Sequence, residues 1–292
     1  MTETERKNIK ICHIGGDLRQ LSCLSALEEY GYVCNAYGFD TYRSDSDILS
    51  HALMGSDVAV LPTPVMRGDF LNMPLSSKKI AVSDLIPVLS ASGIKLVIGG
   101  KLDCDMTEKL TSAGIRFFDL LKSEEFNHLN AIPTAEGAIA LCMNHTPTTV
   151  DNGSFAVIGF GRIGKALSRR LKALCGNVTV CARKERDRAE ASCEGYNAVS
   201  YKDLPDLGSN FDCVFNTVPD IVLTEPFLKE LKKGSPIIEL ASKPGGVDLA
   251  AAIRHEVRII SAQSLPGRVA PVSAGKIMAR CIHSLLDKEG GL

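Results

Sequence analysis

Tryptophan is absent from this 292-residue chain and aromatic residues make up only 5% of it. Such a chain has little with which to stack bases or sugars. No sign of charge dominates either. The 33 Lys and Arg stand against 34 Asp and Glu, so no global field favours nucleic acid or an anionic membrane. No apolar run approaches the roughly 18 residues needed to span a bilayer, and the polar opening MTETERKNIK does not read as a signal peptide. Ten cysteines are present, yet none forms a C-x-x-C pair and no two histidines fall at H-x-x-x-H, so no metal site is expected. Cys12, Cys34, Cys181 and Cys213 sit inside apolar runs, where cysteine acts as a small hydrophobe. Reduced thiols in a cytoplasm are the expectation.

What is present is 45% hydrophobic and 23% charged residues, the profile of a globular protein. Short Val/Ile-rich runs alternate with longer amphipathic ones, which predicts α/β construction with parallel sheets. Strands are predicted at 9–14, 33–37, 57–61, 95–98 and 115–118, then at 155–158, 178–181, 211–216, 236–240 and 257–261. Both halves open alike, IKICHIGGDLRQL and FAVIGFGRIGKAL, as in a diverged structural repeat. The expected fold is two Rossmann-like domains with parallel sheets, an interdomain helix and a cleft. The first domain takes 1–130 and a last helix in 271–292. The interdomain helix lies in 131–150 and starts at Pro133-Thr134, and the second domain takes 151–270.

GFGRIG (Gly159 to Gly164) follows an apolar strand and opens a helix, the context in which three glycines mean a dinucleotide site. Gly159 allows the tight turn, Gly161 admits a pyrophosphate, and Gly164 lets the helix pack on the strand. Phe160, Arg162 and Ile163 complete the loop, whose helix N-terminus attracts phosphate. The next strand ends Ala182-Arg183-Lys184, with no acid where one would accept hydrogen bonds from a ribose 2′-hydroxyl. An Arg there suits a 2′-phosphate, so NADP is expected over NAD. Thr217, Val218 and Pro219, in FNTVPD, and Ala241 and Ser242, in ELASKPGGVD, follow two further strands and complete the expected cofactor edge, with Lys243 the notable cation of the second loop.

These segments resemble, broadly, two-domain dehydrogenases of the D-2-hydroxyacid type. Those enzymes use an Arg in the loop matching ASKPGG and a His near the last strand. Here Lys243 fills the first position, and SLPGRVAPVSAGK has no histidine, so the hydroxyacid proton relay is missing. IGGDLRQL (14–21), NAIPTAEGAI (130–139), GFGRIGKAL, ARK, LASKPGGVD and LPGRVAPVSAGKI (265–277) together resemble, more closely, the A subunits of bacterial dipicolinate synthase. That resemblance implies NADP-dependent oxidation of dihydrodipicolinate, or its hydrated precursor, to dipicolinate. It also implies a partner, the flavoprotein-like B subunit, and the mother-cell cytoplasm of a sporulating bacterium as location. A homo-oligomer is expected. The alternatives are a dehydrogenase for another small dicarboxylate, hydroxy or imino acid, and a non-catalytic NADP-binding subunit.

A ring with two carboxylates needs cations or N–H donors at two places. Arg19, Lys243 and Arg268 are the candidates. Gly16, Asp17 and Gln20 belong to the GGDLRQ turn, which can present backbone amides to an anion. Thr134 and Glu136, at the expected helix start, complete the substrate set. Lys243, Glu136 and Arg268 are the catalytic candidates, Glu136 as base or as partner of an Arg. His13 reads as a core histidine. PTPVMRGDF (62–70) reads as a long turn, either a wall of the substrate site or a plain loop.

Overall fold

The computed structural model describes residues 2–42, 46 and 48–288. The chain divides into two compact units, residues 1–130 with 270–292, and residues 131–269.

Unit 1 begins with α1 (Glu3–Lys7), then β1 (Lys10–Ile14), α2 (Leu18–Glu29), β2 (Val33–Tyr37), α3 (Leu49–Leu53) and β3 (Val58–Val60). A hairpin of β4 (Met66–Arg67) and β5 (Phe70–Leu71) follows, then α4 (Val82–Ala91), β6 (Leu96–Gly99), α5 (Cys104–Ser112) and β7 (Arg116–Asp119). The five long strands are parallel in the order β2-β1-β3-β6-β7. Strand alternation divides the core in two. Cys12 and Ile14 of β1 join the layer containing Leu53, Leu85 and Leu110. Ile11 joins the opposite layer with Cys23 and Leu27 of α2. The hairpin stands where the sequence predicts a loop; its strands are two residues long and include exposed Arg67 and Phe70.

α6 (Glu124–His145) departs from the sequence expectation. It does not start at Pro133 but nine residues earlier. Ser123 Oγ accepts from Phe126 N at 3.2 Å, and Glu124 and Glu125 favour the first turn through the helix dipole. Pro133 then lies inside the helix, where its ring removes one backbone donor.

Unit 2 contains β8 (Ser154–Ile158), α7 (Arg162–Ala173), β9 (Asn177–Cys181), α8 (Glu185–Cys193), β10 (Asn197–Val199) and β11 (Cys213–Asn216). It continues through α9 (Glu225–Glu230), β12 (Ile237–Glu239), α10 (Leu249–Arg254), β13 (Ile259–Ser261) and α11 (Leu265–Val269). Its parallel sheet has the order β10-β9-β8-β11-β12-β13, the doubly wound arrangement of dinucleotide-binding domains. The two units therefore share a strand–glycine turn–helix opening but differ in strand order. β10 has no counterpart among the predicted strands, because its three residues form no apolar run.

The last described element, α12 (Pro271–Lys288), belongs to unit 1. Its Met278, Ala279, Ile282 and Leu286 complete the layer over α2. Gly275 permits the approach, since a Cβ there would lie 2.5 Å from Arg19 O and from Ser22 Cβ.

Candidate functional site

In unit 2 the strand order reverses between β8 and β11, and ligands of such sheets bind at the carboxyl ends beside that point. A cavity of about 420 Å³ opens there. Its walls include Gly159, Phe160 and Gly161 after β8, Arg183 and Lys184 after β9, and Thr217, Val218 and Pro219 after β11.

The three glycines have separate physical reasons. Gly159 has φ +95°, and a Cβ there would meet Thr217 Oγ1 at 2.5 Å. At Gly164 a Cβ would overlap the Gly159 carbonyl, which explains the close seat of α7. At Gly161 a Cβ would meet nothing within 4 Å, so the backbone there borders open space. That bare edge at the start of α7 fits a pyrophosphate. Arg162, Ile163 and Gly164 form the first turn of α7 behind this edge and do not line the cavity.

The cavity wall carries charges of both signs. Arg183 and Lys184 are exposed, and Arg188 holds their loop by donating to Ala182 O at 2.9 Å and Arg183 O at 2.8 Å. Asp187 and Asp220 also line the cavity, and Asp187 accepts from Arg186 Nε at 3.3 Å.

Glu239 does not stand out in the sequence, yet it organises the loops. Its Oε1 accepts from Asn216 Nδ2 at 2.7 Å and Ala241 N at 3.0 Å, and its Oε2 accepts from Gly246 N at 3.1 Å. Asn216, fully buried, also donates to Val218 O at 2.9 Å. Thr217 Oγ1 donates to Ile158 O at 2.8 Å. The only sequence signal for Glu239 is an acid ending the apolar run PIIE. Ala241 and Ser242 lie in the loop that Glu239 fixes and do not line the cavity. Lys243 follows them, exposed and bonded to no described residue, before a cis Pro244.

The remaining candidates are scattered. Arg268 is exposed within α11 rather than on a glycine turn. Thr134 is buried. Glu136 is exposed, and its Oε1 accepts from Arg170 Nε on α7 at 3.1 Å. Of the two roles expected for Glu136, base or partner of an Arg, the pair with Arg170 is the contact the structure shows.

In unit 1, Gly16, Asp17, Arg19 and Gln20 do come together, joined by Pro62 and Thr63. Asp17 caps α2 by accepting from Arg19 N at 2.9 Å. It also takes Arg19 Nε at 2.9 and 3.1 Å and Nη2 at 2.9 Å. His13 is fully buried in β1, and desolvation pushes its pKa down to about 3. It is neutral core, as its strand context implies.

Among the described residues no cluster of His, Cys, Asp or Glu could hold a metal, and no helix is long and apolar enough to cross a membrane.

Comparison with known proteins gives these units relatives. Residues 10–121 match the family model of the N-terminal domain of the dipicolinate synthase A subunit. Residues 137–250 match that of the D-isomer specific 2-hydroxyacid dehydrogenase NAD binding domain. The A subunit of dipicolinate synthase from Bacillus subtilis (strain 168) is 28% identical over 291 residues, covering 95% of this chain and 96% of the relative. The chain resembles dipicolinate synthase A subunits along nearly its whole length. The crystal structure of the A subunit of dipicolinate synthase from Bacillus halodurans superposes with a TM-score of 0.87 at 26% identity, covering 96% of this chain and 98% of that one. A D-lactate dehydrogenase from Treponema pallidum, 14% identical, shares the fold with a TM-score of 0.65 over 97% and 98%. Unit 2 is thus a nicotinamide-dinucleotide-binding domain of the dehydrogenase type, in a chain similar to dipicolinate synthase A subunits in both units.

Proposed function

We propose that this chain is the dehydrogenase subunit of a dipicolinate synthase. It oxidises dihydrodipicolinate, or its hydrated precursor, to dipicolinate with NADP+. The observation that carries the reading is the joint similarity of both units to dipicolinate synthase A subunits, with the cofactor choice resting on Arg183 and Lys184, two exposed cations of the cavity wall. Bound NADP+ supplies the hydride acceptor. The ring loses a hydride and a proton, the products being dipicolinate, NADPH and H+; the hydrated precursor also loses water. Aromatisation contributes the driving force, so a strong base is not required, in keeping with the absence of a histidine from the late segment.

The chain's own residues have separable tasks. The Glu239-held loops fix Thr217 to Pro219 against the cavity. Lys243 and Arg268, both exposed cations without a described partner, hold substrate carboxylate, and Lys243 directly follows Ala241 and Ser242 of the loop after β12. The reading places the chain in the mother-cell cytoplasm of a sporulating bacterium, as a homo-oligomer working with a flavoprotein-like B subunit.

The test is to mix the chain, with and without that partner, with NADP+ and freshly made dihydrodipicolinate. NADPH and dipicolinate should appear together, with NADP+ far better than NAD+. Replacing Arg183 by Asp should cost NADP+ about tenfold or more in affinity, the loss of one charge-assisted contact, and leave NAD+ little changed. Absence of both products in both mixtures would overturn the reaction, leaving a dehydrogenase for another small acid or a non-catalytic nucleotide-binding subunit. Equal losses for the two nucleotides would overturn the role of Arg183.

A further inference from the structure

At the tip of β9 three successive carbonyls are taken by protein donors. Cys181 O accepts from Gly159 N at 2.8 Å. Ala182 O and Arg183 O accept from Nη1 of Arg188 at 2.9 and 2.8 Å. Ala182 N in turn donates to Val199 O at 3.1 Å. The N–H groups of Arg183 and Lys184, by contrast, bond to no described residue. What the tip leaves unspent beside the cavity is therefore donors and cations.

Arg188 produces this arrangement without lining the cavity. It is the fourth residue of α8 and is half-buried. A guanidinium fork ordinarily engages a carboxylate, as the neighbouring Arg186 engages Asp187. Among the described residues Arg188 has no carboxylate partner and bonds the two neutral carbonyls instead. Asp203 feels its charge but is itself bonded by Ser200 Oγ at 2.6 Å. A free carbonyl beside a phosphate repels it, whereas backbone N–H groups attract it.

We propose that Arg188 is a positioning residue for the choice of cofactor. By holding the Ala182 and Arg183 carbonyls, it keeps the Arg183–Lys184 turn in the conformation that offers N–H groups and cations to a ribose 2′-phosphate. The proposal rests on the NADP+ reading above and deepens it. Asp187 and Asp220 line the same cavity, so the potential at the 2′ position depends on how the tip is held. Released from Arg188, two bare carbonyls join those acids, and the turn must be ordered anew on binding. The extra phosphate then loses its advantage. A ribose 2′-hydroxyl, which can donate to a bare carbonyl, is little affected.

The experiment is calorimetric titration of the full chain with adenosine 2′,5′-bisphosphate and, separately, with 5′-AMP, which differ only in the 2′-phosphate. The parent should bind the bisphosphate about tenfold or more tighter, the scale of one charge-assisted contact. Arg188→Leu should reduce that ratio to about threefold or less while 5′-AMP stays within about twofold of the parent. Arg188→Lys, which retains a donor for the carbonyls, should recover most of the ratio, with unchanged circular dichroism verifying the fold of each variant. Should Arg188→Leu not fold, Arg188→Gln, uncharged and able to donate to one carbonyl, should give a ratio between those of the parent and of 5′-AMP-like indifference. A ratio that survives the loss of Arg188, equal weakening of both probes, or no recovery in Arg188→Lys would overturn the positioning role. A parent that binds the two probes alike would instead overturn the NADP+ reading itself, so the two failures are distinguishable.

Discussion

Asn216 and Glu239 lie opposite each other on β11 and β12, and the 2.7 Å bond between their side chains joins the two loops that leave those strands. Glu239 has three donors on one carboxylate, and Gly246 is tied to the same knot because a Cβ there would overlap Asn216 Nδ2. Hydrogen bonds to charged groups contribute about 1.5–3 kcal/mol each when a partner is removed. Glu239→Ala should therefore lower unit 2 stability by about 3 kcal/mol in denaturant titration, and should weaken nucleotide binding although Glu239 does not line the cavity. Unaltered nucleotide affinity in a folded variant would show that the loops hold their shape without it.

Gly161 and Gly164 separate binding from folding. A Cβ at Gly161 enters open space, so Gly161→Ala should melt within a degree or two of the parent while losing nucleotide affinity by about tenfold or more. Gly164→Ala should be destabilised outright, by about 2 kcal/mol or more, because its Cβ meets backbone that cannot move independently. Thermal melts with and without NADP+ distinguish the two; a Gly161→Ala chain that is stabilised by nucleotide like the parent contradicts the role given to this edge.

His13 gives the pH dependence a sign. Its folded pKa, about 3, lies below the ordinary value of 6.5 because of burial. Between those values the unfolded chain binds the proton and the folded chain does not. The linked stability is complete above about pH 6.5 and is lost as pH falls toward 3, on the order of 2 kcal/mol by pH 5. His13→Leu should flatten the decline in melting temperature between pH 7 and pH 5. An identical slope in the variant would mean that other groups carry it.

Much of this is legible in the residues and some is not. β1, β2 and β8 have apolar runs of about five residues, and each appears within a residue or two of the strand expected. The glycine pattern of 159–164 leads directly to the cavity edge, because steric need for glycine is local. β10 and the β4–β5 hairpin escape sequence reasoning, since two or three residues carry no period. The start of α6 is misplaced by it because Pro133 reads as a boundary, whereas Ser123 and two glutamates have already begun the helix. Glu239 is inconspicuous because its partners are 23 residues away at Asn216 and on the following loop, a relation made only by parallel pairing. Gln20 and Thr63 likewise meet through the sheet, which sequence spacing does not encode.

Glu136 is a reasonable base from its position in the sequence, and its pairing makes a contrary prediction. An exposed ion pair such as Glu136–Arg170 contributes under about 1 kcal/mol. Glu136→Gln should therefore change stability by less than that and retain turnover within about threefold. A loss of about a hundredfold in kcat with normal nucleotide affinity would restore the carboxylate to the chemistry.

The placement of α12 sets the order in which the molecule can be completed. A ribosome finishes all of unit 2 before it makes the helix that unit 1 still requires. Until then Cys23, Ala26 and Leu27 of α2 lack their cover of Met278, Ala279, Ile282 and Leu286. The domain whose first strand is synthesised earliest is thus the last to close its core, and during translation its nascent form presents an oily stripe that a chaperone could hold.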